Sequence, residues 1–250
     1  MGGAKVRPSE AHRWLPCPGS VVMQERYPET GRSPAAEDGQ AAHWAATQGG
    51  DVTGRTAPNG VIVSAEMWRH VEVYWNALPV GATLETPVTV PRVHPLCSGT
   101  PDAWFFDTAT QTLYVWDFKY GYGIVEPYEN PQLACYASGI MDYLGIKTDG
   151  DITLCLAIVQ PRPWHELGPV RSWRLKAVGL RGLVNRLHSA AHEALGPDPQ
   201  VSSGEHCAYC SARHACPAGR RAALNAVDVS HVAVGEELDP VAIAVELDIL

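Results

Sequence analysis

The stretch SGTPDAWFFDTATQTLYVWDFKYGYG, residues 98–123, sets two apolar strands around a polar turn and puts a carboxylate in each. Residues 100–107 and 112–119 read as strands, and DTATQ between them is rich in turn formers. If the two pair as a hairpin, Asp102 and Asp117 lie side by side at one end of the sheet. The strand period of two then puts Lys119 on the same face as Asp117. Adjacent carboxylates repel unless a cation sits between them, and hard oxygen ligands suit Mg²⁺ or Mn²⁺. The Phe118 carbonyl, between the two charged side chains, is a further candidate ligand. A metal held this way polarises a phosphate while a lysine orients or deprotonates water, which is the chemistry of phosphodiester hydrolysis. Taken singly, Asp102 reads as a turn residue and Lys119 as a strand-end charge; the combination carries the argument.

Working outward, a helix is expected over 36–48, and a second over SAEMWRHVEVYWNAL, where Ser64 is a cap and Met67, Val71, Tyr74, Trp75 and Leu78 recur at helical spacing. Residues 83–90 read as a strand ahead of the hairpin, and 130–144 as a helix after it, closed by Gly145. The apolar run 152–160 has the continuity of a strand buried on both faces. A strand over 170–175 and a helix over 178–195 follow, and 11–24 is helical with an interruption near Cys17-Pro18. This order of helix, three strands, helix and strand, with additions at both ends, predicts an α/β layer arrangement around a mixed sheet flanked by helices.

At 250 residues and 46% hydrophobic, the chain is long enough to bury one good core. No apolar run approaches the roughly 20 residues that cross a bilayer. The stretch MGGAKVRPSEAHRW lacks the apolar segment of a signal peptide, so the chain is expected in the cytoplasm, with no membrane partner. The net charge of -8 argues against a nucleic-acid partner only at first sight. Residues 217–250 hold two arginines against six acids, leaving 17 basic and 21 acidic groups in the rest. Global charge therefore decides little.

Pro101-Asp102 followed by Asp117-Phe118-Lys119 resembles the PD-(D/E)XK nuclease superfamily, whose restriction-endonuclease-like core has the order αβββαβ. His43 in EDGQAAHWAA is similar to the histidine that RecB-type nucleases place on the preceding helix as an extra metal ligand. Gln132 and Tyr136 in ENPQLACYASGI resemble their Gln-x-x-x-Tyr motif, which faces the active site and the DNA backbone. The resemblance implies a site in which His43, Asp102, Asp117 and the Phe118 carbonyl hold Mg²⁺ or Mn²⁺ and Lys119, Gln132 and Tyr136 complete the catalytic set. A DxK triplet alone is a weak signal; these elements in order are a strong one. Glu85, in LETPVTV, reads either as an acid supporting the site or as ordinary strand solvation.

The seven cysteines are unevenly spread. GEHCAYCSARHACPAG gives Cys207-x2-Cys210-x5-Cys216, too few thiolates for a closed tetrahedral site, and Cys17 is the natural fourth ligand. One cysteine ahead of the core and three behind it resembles the iron-sulfur nucleases of the RecB type, and implies a four-iron, four-sulfur cluster joining the N- and C-terminal segments. The rival is structural Zn²⁺, with Cys17, His206 or His214 completing the set. Cys97, Cys135 and Cys155 sit in apolar settings and read as core thiols.

The expected organisation is an N-terminal segment over 1–35 that carries one cluster cysteine, a nuclease core over 36–196, a Cys-rich segment over 197–220 and an acidic tail over 221–250. Tyr120, Tyr122, Arg162, Arg171 and Arg174 are candidate contacts to a nucleic-acid backbone, or else a solvated strand edge. HRWLPCPGSVVMQERYP, with EDGQAAHWAA and the DFKYGYG and NPQLACYA stretches, resembles a bacteriophage and prophage family of RecB-like proteins. That implies a DNA exonuclease in the host cytoplasm, working beside a single-strand annealing protein or another recombination protein. The alternative is a catalytically silent module that binds DNA or a recombination partner; a third reading keeps the site but makes the substrate RNA.

Overall fold

The computed structural model describes residues 6–230 except 30, 32, 148 and 149. A five-stranded mixed sheet runs in the order β1 (Thr83–Leu84), β4 (Ala103–Asp107), β5 (Thr112–Phe118), β6 (Thr153–Val159) and β7 (Val170–Lys176). Only β5 and β6 are parallel, and the helix α5 (Pro131–Tyr143) makes the crossover between them. The β4–β5 hairpin pairs Ala103 with Trp116 and Asp107 with Thr112. Gln111 closes its turn at φ 51°. One register step beyond Ala103–Trp116, Asp102 comes opposite Asp117, as the alternation predicts.

Alternation also sorts the two faces. Leu113 and Val115 of β5 face a core shared with α5 and α6 (Arg181–Ala194), while Trp116 and Phe118 face α3 (Pro34–Ala46) and α4 (Ala65–Ala77). β6 is buried on both faces, and Leu154, Leu156 and Ile158 are fully enclosed. Each contributes roughly 1.5–3 kcal/mol of burial. Helices α3, α4 and α5 start on Ser33, Ser64 and Asn130, whose side chains accept from free amides of the first turn. Pro occupies the first position of α3 and of α5, where its missing N–H costs nothing.

Two expectations change. Residues 83–90 are not one strand: Glu85 adopts φ 45°, its amide donates to the Asp102 carbonyl, and Pro87 follows with no amide to donate. The chain therefore leaves the main sheet after β1. It then forms β2 (Val88–Thr89), which pairs with β3 (Ser98–Gly99) in a separate ribbon. For the same reason the strand expected over 100–107 begins only at Ala103.

The N-terminal segment packs into the fold: Val6, Ala11 and Trp14 are buried in the α5–α6 core. The short helices α1 (Ala11–Trp14) and α2 (Ser20–Arg26) flank the interruption at Cys17-Pro18. At the other end α7 (Pro217–Ser230) runs across the boundary expected at 220, and the acidic tail beyond it lies outside the described residues. No helix among the described residues is long and apolar enough to cross a membrane.

Candidate active site

The carboxylates of β4 and β5 meet the end of α3. Ala41, Ala42, Ala45 and Ala46 bury one stripe of α3 in the core shared with α4. His43 is left facing the sheet end, with Nδ1 3.4 Å from Oδ1 of Asp102. The other Asp102 oxygen, Oδ2, accepts the Phe118 amide at 2.6 Å. In an extended strand the N–H and C=O of one residue point to the same edge. The Phe118 carbonyl therefore shares the edge on which Asp102 sits.

Asp117 is 2% exposed and is held by two cationic or amide partners. Gln132 donates to its Oδ1 at 2.6 Å, and Lys119 Nζ lies 2.9 Å from its Oδ2, an ion pair without a well-directed hydrogen bond. Lys119 in turn donates to Oε1 of Gln132 at 2.8 Å. The three side chains close a ring in which the amide fixes the distance between acid and base. Tyr136, one turn further along α5, lines the same cleft, its phenol pushed up by burial and by the nearby carboxylates.

Glu85 belongs to this constellation rather than to plain strand solvation. Its positive φ places the carboxylate beside the first pair, so that one ligand atom each from His43, Glu85 and Asp102 lies within 4.8 Å of the others. A non-glycine residue in this region costs about 1–3 kcal/mol and is found where surrounding structure enforces it. One imidazole and two carboxylates form a donor set suited to a divalent cation such as Mn²⁺ or Mg²⁺. Asp117 stands just outside that group, because Lys119 and Gln132 already occupy both its oxygens.

The charges push the groups apart. Burial and the charge of Asp102 raise Asp117, against the pull of Lys119. Burial also acts on Asp102, but His43 and the Phe118 amide outweigh it and hold the carboxyl low. His43 and Lys119 are both raised: burial opposes their charged forms, and Asp102 and Asp117 respectively overcome it. Glu85 remains exposed at the rim, yet partial desolvation and Asp102 push it up to about 7. Carboxylates driven towards protonation by one another mark a place where a cation relieves repulsion.

A cleft of about 420 Å³ gathers His43, Asp102, Asp117, Lys119, Gln132 and Tyr136. Its remaining wall includes Ser98, Gly99 and Thr100, together with Arg7 and Ser9, which sequence reasoning did not select. Nothing in the spacing of VRPSEAHRW signals that role; it follows from the long-range docking of the N-terminal segment. The expected nucleic-acid contacts divide. Arg162 is stacked between Tyr120 and Tyr122, 4.4 and 4.2 Å from the ring centres, and Tyr122 is well exposed. Arg171 is instead buried at 3% exposure, donating to the Val125 carbonyl and to Gln160, so it braces the 121–126 loop. Arg174 of β7 lies over the ring of Tyr114 of β5.

Residues 17–19, just after α1, meet residues 199–202. Gly19 donates to the Gln200 carbonyl at 2.7 Å, and a Cβ there would lie 2.8 Å from the carbonyls of Pro199 and Gln200. Cys17 thereby accepts the Ser202 amide at 3.3 Å. Burial raises its thiol, but His206 and Ser202 outweigh that and draw it down. Cys207 is raised by burial and feels Cys17, Cys210 and Cys216. The four sulfurs do not form a group as tight as His43, Glu85 and Asp102. Cys97 and Cys135 are fully buried and Cys155 nearly so, as expected of core thiols.

The chain belongs to the family described as protein of unknown function DUF2800, which it matches over residues 3–248.

Proposed function

We propose that this protein is a divalent-metal-dependent deoxyribonuclease of the PD-(D/E)XK type, acting as an exonuclease on DNA ends in a phage recombination, replication or repair setting. The observation that carries the reading is the ring of Lys119, Gln132 and Asp117 set in the same cleft as His43 and Asp102, with Glu85 grouped beside that last pair. The succession of α3 and α4, the three main-sheet strands β1, β4 and β5, then α5 and β6 also resembles the αβββαβ core. A bound divalent cation supplies Lewis-acid polarisation of a phosphate and neutralises the charge that develops on it. His43, Glu85 and Asp102 would hold it, with Asp117 and the Phe118 carbonyl beside them.

The chain's own groups do the rest. Lys119, kept charged by Asp117, orients water by donation and stabilises negative charge building on the phosphoryl oxygens. Gln132 keeps that ammonium within reach of Asp117, and Tyr136 offers a neutral hydroxyl to the substrate. At the chain ends, Cys17, Cys207, Cys210 and Cys216 would hold a four-iron, four-sulfur cluster that closes a very long loop. Structural Zn²⁺ is the competing occupant of those thiols, with His206 adjacent to Cys17.

The reading is tested with end-labelled linear DNA, closed circular DNA and RNA, each incubated with Mg²⁺, Mn²⁺ or EDTA. Metal-dependent loss of linear DNA alone is the expected result. Cleavage of circles makes the enzyme an endonuclease, loss of RNA alone changes the substrate, and no cleavage by well-folded, metal-replete protein leaves a binding module.

A further inference from the structure

The acidic part of the cleft cannot hold a polyanion by itself, and part of the remaining lining comes from the N-terminal segment. Val6 is fully buried and bridges to Cys97 in parallel register, and Pro8 packs against Gly99, where a Cβ would meet it at 3.0 Å. The indole N–H of Trp14 and the amide of Glu10 both donate to the Arg7 carbonyl, at 2.9 and 3.0 Å. The backbone of Arg7 is therefore fixed on both sides while its side chain remains exposed at the cleft wall.

Arg7 differs from the structural arginines. Arg13 donates to the Tyr209 carbonyl, Arg92 pairs with Asp142 at 2.6 Å, and Arg171 is buried on Gln160. Among the described residues Arg7 has no ion-pair partner, although Asp117 and Asp102 line the same cleft. Ser9, two residues on, adds a hydroxyl to the same wall. His12 follows on α1, with its imidazole in the field of Lys119 and of His206. Arg7 and Ser9 thus bring donors to the cleft that the carboxylates also line. A guanidinium on a fixed backbone presents paired N–H groups that match two oxygens of a phosphate, and a serine hydroxyl supplements them.

We propose that Arg7 and Ser9 form a phosphate-binding subsite that grips a backbone phosphate adjacent to the one lying over Lys119. The proposal rests on the reading of the cleft as a DNA site and assigns the N-terminal segment to substrate binding.

The test measures affinity for a short fluorescein-labelled DNA duplex by anisotropy in Ca²⁺ over a range of salt concentrations, with Mn²⁺-dependent cleavage measured in parallel. Arg7→Ala is expected to weaken binding about tenfold and to reduce the slope of log affinity against log salt by about one. Ser9→Ala should weaken binding less, and Arg7→Lys should restore the salt slope but not the full affinity. In cleavage, Arg7→Ala should raise KM while leaving kcat near wild type. Because the Arg7 side chain is exposed, the variant should melt with wild type, which separates a binding defect from unfolding. Wild-type affinity and slope in both Arg7→Ala and Ser9→Ala overturn the proposal even if the enzyme cleaves DNA. Weakened binding by Arg7→Ala in a wild type that never cleaves upholds the subsite and overturns the nuclease reading. A wild type that binds no DNA overturns both.

Discussion

The amide of Phe118 donates to Oδ2 of Asp102 at 2.6 Å, so one strand of the hairpin fixes the carboxylate of the other. Oδ1 is left for His43 and for a cation. Asp102→Asn can still accept from that amide through its carbonyl, but turns an NH₂ towards His43. The expected outcome is a loss of metal-dependent cleavage of about a thousandfold, with a melting temperature close to wild type, read by a cleavage time course and by thermal unfolding.

Gln132 makes two contacts that act on others: it spaces Lys119 from Asp117. Gln132→Leu keeps most of the volume and removes both hydrogen bonds, leaving Asp117 with the lysine alone. Such supporting partners are worth roughly 10–100-fold in affinity or activity. The loss is expected in kcat rather than in KM, and steady-state kinetics on a labelled duplex separates the two.

Glu85 gives a pH dependence whose sign is fixed. Its folded carboxyl lies at about 7, above the ordinary value of 4.5. Below 4.5 both folded and unfolded chains hold the proton, and this group costs no stability. As pH rises from 4.5 to 7 the unfolded chain releases its proton while the folded one retains it, so metal-free stability falls across that window. Metal binding must displace the retained proton, so Mn²⁺ affinity should climb as pH approaches 7 and level off above it. Glu85→Gln should abolish the climb, weaken Mn²⁺ binding and flatten this part of the metal-free stability profile. Calorimetric titration of Mn²⁺ at several pH values, beside metal-free melts, checks each part. An unchanged pH profile in the variant contradicts the assignment.

How much of this was legible beforehand differs by residue. The juxtaposition of Asp102, Asp117 and Lys119 follows from strand alternation and a short turn, which are local signals, whereas Gln132 and Tyr136 are singled out by the resemblance to the Gln-x-x-x-Tyr motif. Alternation over residues 83–90 passes for one strand, and the positive φ of Glu85 goes with the long-range hydrogen bond from its amide to the Asp102 carbonyl. Arg171 reads like any charged strand residue until Gln160 and the 121–126 loop enclose it. Arg7 and Ser9 reach the cleft because Val6 and Trp14 bury far from their sequence neighbours, which no window of sequence reveals.

The cysteines test whether the chain ends are tied by metal. Anaerobically purified protein should show the broad visible absorption of an iron-sulfur cluster, and Cys17→Ser should bleach it. Loss of a structural metal destabilises by more than about 4 kcal/mol, so this variant should melt far below wild type. Cys155→Ser, a core thiol remote from the ligand set, should keep the colour. A colourless wild type with stoichiometric zinc would replace the cluster with a zinc site.

Asp117 of β5 and Lys119 just beyond its end are proposed to make this cleft a phosphodiesterase site. The most direct measurement is the single-turnover rate of linear DNA cleavage at saturating Mn²⁺, in wild type and in Lys119→Ala, with DNA binding measured on the same preparations. The rate is expected to fall about 10²–10⁴-fold in the variant, with binding kept within a few-fold and no cleavage by either protein in EDTA. A Lys119→Ala protein that cleaves at the wild-type rate would contradict that assignment.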